Sequence, residues 1–211
     1  MIHILKDKIF GKFKYILYTP SENTENLPLI VVLHGLGEVG KKLSKLKTRE
    51  PYLSFKKKFN INAVVLMPQL PSGSWRKSAT SLKKLIDYVA IENKCDTSHI
   101  SITGHSLGGA GVLEMIIRYP NYFSACAPLS PCVNYKKEDL KKIIHIPIWF
   151  FYGEKEGKIG KYTRSMKTKL DNLKGNVKLT CVKGKGHAIQ FCWIDSKYKL
   201  FNWLINFRRI I

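Results

Sequence analysis

The chain has 211 residues, 45% of them apolar, which allows one substantial core and is short for two ordinary domains. Its formal charge is +21, from 36 Lys and Arg against 15 Asp and Glu. No window reaches the roughly 18 apolar residues of a membrane span, and the start, MIHILKDKIFGKFKY, is broken by Lys and Asp too often for a secretory signal.

These features predict a cytoplasmic protein folded as a single domain over residues 1–211. No repeat, Pro-rich linker or low-complexity segment interrupts it. Arginine occurs only at positions 49, 76, 118, 164, 208 and 209, and the lysines lie in separate patches such as KKLSKLK (41–47), KKK (56–58) and KKEDLKK (136–142). With no nucleic-acid-reading motif among them, they read as a solvated surface, and no nucleic-acid partner is expected. The five cysteines, 95, 126, 132, 181 and 192, are odd in number and lack CxxC spacing, so neither a metal site nor a disulfide framework is expected. Cys126 and Cys181 sit in apolar runs and read as buried thiols. No cofactor is called for.

In chain order, the strand candidates are FKYILYT (13–19), LIVVLH (29–34), NAVVLMP (62–68), HISITG (99–104), SACAPLS (124–130), IPIWFFYG (146–153) and VKLTCVK (177–183). Helical spacing predicts helices over 79–93, 106–119, 161–173 and 195–207, with Pro120 and Pro131 closing segments. The amino-terminal part is read as adding an antiparallel hairpin. Strands apolar on both faces, alternating with helices, predict an open α/β fold with a mostly parallel sheet covered by helices.

In such a sheet chemistry collects at the carboxyl ends of the strands. ISITGHSLGGAG (100–111) sets Ser106 between Gly104 and Gly108, after a strand and before a helix. Glycine on either side lets the chain turn sharply and leaves the serine exposed as a nucleophile, with a helix N-terminus behind it. A serine nucleophile needs a base, an acid that orients the base, and donors for the oxyanion. His187, in GKGHA, is the histidine that follows a plausible acid. His3, His99 and His145 read as strand-edge or loop residues, and His105 is expected to point away from the serine. The acid is expected after IPIWFFYG, where Glu154 and Glu156 both stand and no aspartate occurs. The oxyanion donors are read as the backbone N–H groups of Leu107 and of Leu36, the latter in LIVVLHGLGEVG, where Gly35 permits an unusual backbone and His34 holds the loop.

HGLGE (34–38), PQLPSGSW (68–75), TGHSLGGAG (103–111), RYPNYFSACAPLSP (118–131) and GKGHA (184–188) together resemble α/β-hydrolase-fold serine esterases. The pattern is similar to the compact phospholipase/carboxylesterase, dienelactone-hydrolase-like and predicted-peptidase or esterase D-like branches, over roughly residues 27–205. The resemblance implies a single α/β-hydrolase domain, the acid at Glu156 where YGEKEG stands in place of a G-x-x-D loop, and a substrate-binding role for Trp75. About 15 residues separate the strands ending near Ser130 and starting near Ile146, which leaves no room for a large cap. The expected activity is therefore hydrolysis of small, short-acyl carboxylic esters through Ser106, His187 and Glu156. Two other readings stay open: a small-peptide hydrolase on the same triad, and a degenerate hydrolase fold acting as a basic binding module.

Overall fold

The computed structural model describes residues 4–21, 23–57 and 59–209; His3 lies outside them. Eight strands form one sheet in the order β1-β2-β4-β3-β5-β6-β7-β8. They are β1 (Ile4–Phe10), β2 (Phe13–Thr19), β3 (Leu29–Leu33), β4 (Val64–Gln69), β5 (Ile100–His105), β6 (Ala125–Leu129), β7 (Ile148–Gly153) and β8 (Val177–Val182). β1 pairs antiparallel with β2 and β2 with β4, and every later pairing is parallel. The expected hairpin is thus present. The seven strand candidates all form strands, with ends shifted by up to two residues.

Helices α1 (Tyr52–Lys56), α2 (Trp75–Glu92), α3 (Leu107–Arg118), α4 (Lys137–Leu140), α5 (Gly157–Asn172) and α6 (Leu200–Leu204) cover the sheet. α2, α3 and α5 fill one face, where Leu82, Leu85, Val112, Met166 and Leu170 meet the sheet side chains Val31, Leu66, Ile102 and Phe150. The other face is closed by α1, α6 and short 3-10 turns through Leu46, Phe55, Trp193 and Phe201. β3, β4, β5, β6 and β7 are buried along their whole length, as strands covered on both faces must be.

Helix α2 begins four residues before the apolar periodicity, because Ser74 caps it by accepting from Lys77 N–H. The continuous helix expected over 195–207 is not formed. Residues 190–193 make a 3-10 turn and only Leu200–Leu204 is α-helical. Lys199, at φ 49°, turns the chain left-handed between them so that Trp193 and Phe201 both reach the core. Cys126 is buried as expected, whereas Cys181 is only half-buried. Among the described residues no helix is long and apolar enough to cross a membrane.

Candidate active site

Ser106 sits where β5 gives way to α3, and its backbone adopts φ 57°, ψ −115°, a conformation that is strained for any residue with a side chain. The neighbouring glycines make the turn sterically feasible. A Cβ on Gly108 would stand 2.1 Å from Leu33 O, and one on Gly104 would stand 2.6 Å from Gly108 O. The elbow is locked further by the bond from Ser106 N–H to Leu129 O (2.9 Å). α3 presents its N-terminus to the serine, favouring negative charge there.

His187 reaches Ser106 from the loop after β8. Its Nε2 lies 2.8 Å from Ser106 Oγ. On its other edge, Nδ1 lies 2.5 Å from Glu156 Oε1. The carboxylate requires a donor, so Nδ1 carries the proton and Nε2 accepts from the serine hydroxyl. Glu156 Oε2 accepts from Ser130 Oγ and from Gly153 N–H, both at 2.7 Å. Burial alone would raise the Glu156 pKa; the donors His187, Ser130 and Gly153 outweigh it and hold the carboxyl below its ordinary value. The other glutamate left open by the sequence, Glu154, is turned outward to Lys183 Nζ (2.9 Å) and Gly184 N–H (2.8 Å).

Close approach of the two loops depends on Gly153, where a Cβ would stand 2.1 Å from Gly186 O. The sequence pattern missed two further members of this half. Ser130 ends the apolar run APLS in a left-handed conformation, φ 46°, that turns it under Glu156. His105, expected only to point away from the serine, is the second: its Nε2 donates to the backbone carbonyl of His187 (2.7 Å) and its ring lies 4.6 Å from that of His187. Burial depresses its pKa to about 4, only partly offset by that hydrogen bond, so the ring is neutral at pH 7. The only sequence signal for either was adjacency to a motif.

On the other side of Ser106, the loop after β3 is clamped by the β4–α2 connection. His34 Nε2 accepts from Leu70 N–H (2.8 Å), so its proton is on Nδ1, which donates to Gly35 O (2.7 Å). Burial holds the His34 pKa below its usual value, consistent with that neutral tautomer. Gln69 Nε2 donates to Glu38 O, and Gly40 N–H to Leu70 O (3.0 Å). HGLGE and PQLP are therefore two halves of one clamp. The N–H groups of Leu36 and Leu107 have no acceptor among the described residues, and a Cβ on Gly35, next to Leu36, would stand 3.7 Å from Ser106 Cβ. Gly35 itself needs no unusual backbone, at φ −81°, ψ −170°.

A cavity of about 350 Å³ is lined by Gly35 and by His105 and Ala188, the chain neighbours of Ser106 and His187, with Val32, Met67, Phe191 and Trp193 on its apolar wall and Glu38, Arg49 and Glu50 on its polar one. Trp75 does not line it. It is 1% exposed, under the His34 loop, and its Nε1 donates to His34 O (3.1 Å). Its indole fills the space against Gly111 that only glycine leaves open. Trp75 supports the loop and offers no surface to a substrate.

A mostly parallel sheet of this order, with helices on both faces and a serine elbow after β5, defines the α/β-hydrolase class. The sequence model of the Esterase family matches residues 8–187, and the chain belongs to that family. No curated protein matches it. Among solved structures, a thermostable esterase is similar over 98% of this chain at TM-score 0.77 and 22% identity; the chain spans 63% of that protein's length. A ferulic acid esterase matches at TM-score 0.70 and 13% identity, with 97% of this chain and 98% of that one covered. An S-formylglutathione hydrolase from Agrobacterium tumefaciens matches at TM-score 0.67 and 14% identity, over 99% of this chain and 95% of that one. At such identities the likeness is one of fold.

Proposed function

We propose that the chain hydrolyses small carboxylic esters with Ser106 as nucleophile, His187 as general base and acid, and Glu156 as the orienting carboxylate. The observation that carries this reading is the continuous relay from Ser106 Oγ to His187 to Glu156, at 2.8 and 2.5 Å. Ser106 Oγ attacks the ester carbonyl as His187 Nε2 takes its proton. Glu156, kept ionised by its three donors, stabilises the imidazolium. The Leu36 and Leu107 N–H groups receive the oxyanion; one such donor is worth about 3–4 kcal/mol in comparable sites. His187 then protonates the leaving alcohol, and water attacks the acyl-enzyme by the reverse sequence.

A short acyl group is favoured by the cavity, whose 350 Å³ is near the low end for small-ligand sites. The connection between β6 and β7 supplies no cap: its α4 and following turn bury Leu140 and Ile143 in the core. Five cysteines without a disulfide suit a reducing, cytoplasmic setting. The test is turnover of p-nitrophenyl acetate, butyrate and octanoate. The expected rates fall with chain length and vanish in Ser106→Ala; octanoate as the best substrate would overturn the short-acyl assignment. Amide analogues of the preferred acyl group are expected to be far slower, and comparable rates would favour the peptidase reading.

A further inference from the structure

The glutamate of HGLGE has no part in the scheme above, yet its side chain lines the cavity. Glu38 ends the 3-10 turn that begins at Leu36 and is only 9% exposed. Arg49 Nε donates to its Oε1 (3.1 Å). Its Oε2 has no partner among the described residues, and the side chain lines the cavity. A carboxylate can only accept, so whatever meets that oxygen in the cavity must bring a donor.

Gly35 marks where a donor fits. Its extended backbone suits any residue. A Cβ added there would meet only ordinary contacts: Glu38 Oε2 at 3.6 Å, His105 O at 3.6 Å and Ser106 Cβ at 3.7 Å. Neither conformation nor packing demands glycine here, in contrast to Gly108. The absent side chain leaves a gap with the nucleophile on one side and the unused Glu38 oxygen on the other. The two are no further apart than those contact distances placed end to end. An acyl group on Ser106 crosses the same span. Four bonds of about 1.5 Å run from Cβ through Oγ, the carbonyl carbon and the α-carbon to an α-substituent, and a charge-assisted hydrogen bond adds about 2.8 Å.

Charge selects the kind of donor. The charged side chains on the cavity wall are Glu38, Glu50 and Arg49, and Glu50 Oε2 already accepts from Ser54 N–H (3.2 Å). Lys185 Nζ stands 5.7 Å from the ring of the wall residue Phe191 and balances the second carboxylate, so the preference for a cation is local to the open Glu38 oxygen. We infer that Glu38 recognises an ammonium group on the α-carbon of the acyl chain, so that α-aminoacyl esters are the preferred substrate class. This rests on the serine-esterase reading; the bond cleaved is the same ester C–O bond.

The test compares L-alanine 4-nitrobenzyl ester with the propionate ester of the same alcohol in the wild type, Glu38→Gln and Gly35→Ala. The readout is the ratio of the two kcat/KM values, in which the intrinsic activation by the ammonium cancels between variants. The ratio is expected to fall at least tenfold in Glu38→Gln, and to fall in Gly35→Ala, whose methyl fills the gap. If Glu38 only braces the loop, both esters slow together and the unchanged ratio overturns the inference. Should neither ester turn over, calorimetry of L-alaninamide and propionamide on Ser106→Ala decides. Binding of the amine alone, lost when Glu38→Gln is added, keeps the Glu38 site and removes the esterase reading; no difference between the two amides removes the Glu38 site.

Discussion

The two halves of the site are built in opposite ways. The nucleophile half is local: Gly104, Ser106, Leu107 and Gly108 are within five residues, and their geometry follows from a strand that must enter a helix without room for side chains. The acid–base half is assembled from three loops. It brings Ser130 after β6, Gly153 at the end of β7, Glu156 beyond it and His187 after β8 to one point. A local turn is fixed by sterics, whereas a convergence of loops is held by hydrogen bonds. The first should therefore fail through folding, and the second through catalysis.

The largest effect expected from that contrast is in the second half. Glu156→Gln removes the acceptor that fixes the His187 tautomer and is expected to lower kcat by about 10³–10⁴-fold with the fold retained. Glu154→Gln, facing Lys183, should leave kcat within a few-fold; equal losses in the two variants would break the assignment of the acid. In the first half, Gly108→Ala forces a methyl onto Leu33 O and should cost several kcal/mol of stability, read as a lower denaturation midpoint. A Gly108→Ala protein of wild-type stability would show that the elbow is not sterically fixed.

A smaller effect is expected from pH. The folded pKa of His105 is depressed to about 4 from the ordinary 6.5, so below pH 6.5 the unfolded chain binds a proton that the native state does not. Stability then falls as pH drops from about 6.5 towards 4, by roughly 3 kcal/mol over that window. Glu156 acts in the same direction at lower pH: its depressed pKa contributes stability above the ordinary carboxylate value, which is lost as pH falls through the lower folded value. His105→Gln should reduce the loss between pH 6.5 and 4, leaving the part due to the likewise depressed His34 and His99 and the more acidic step. Denaturant midpoints measured across pH 3–8 check this.

The same contrast explains what could be read before the structure. Strands β3 to β7 announce themselves because strands buried on both faces are continuously apolar, and the elbow because glycine spacing is a steric code. Leu36 is proposed as an oxyanion donor from HG after a strand, on the ground that Gly35 gives backbone freedom, whereas Gly35 has an extended backbone that any residue adopts. The acid was legible only to within two glutamates, since the preference for Glu156 over Glu154 depends on which one the turn after β7 directs inward. Ser130 and His105 were not legible, because their roles come from partners 26 and 82 residues away. Trp75 misled for the opposite reason: a tryptophan beside a glycine-rich turn looks like a pocket wall, and the close approach of Gly111 that buries it is not visible in its own neighbourhood. The 195–207 helix failed where apolar spacing continued across a left-handed turn at Lys199.

The most direct test of the central claim is covalent labelling by a p-nitrophenyl alkylphosphonate, read by mass spectrometry of the digested protein in the wild type, Ser106→Ala and His187→Ala. One adduct per chain is expected on Ser106, with none in Ser106→Ala and labelling slowed by orders of magnitude in His187→Ala. An unlabelled wild type, or an adduct elsewhere that survives Ser106→Ala, would contradict it.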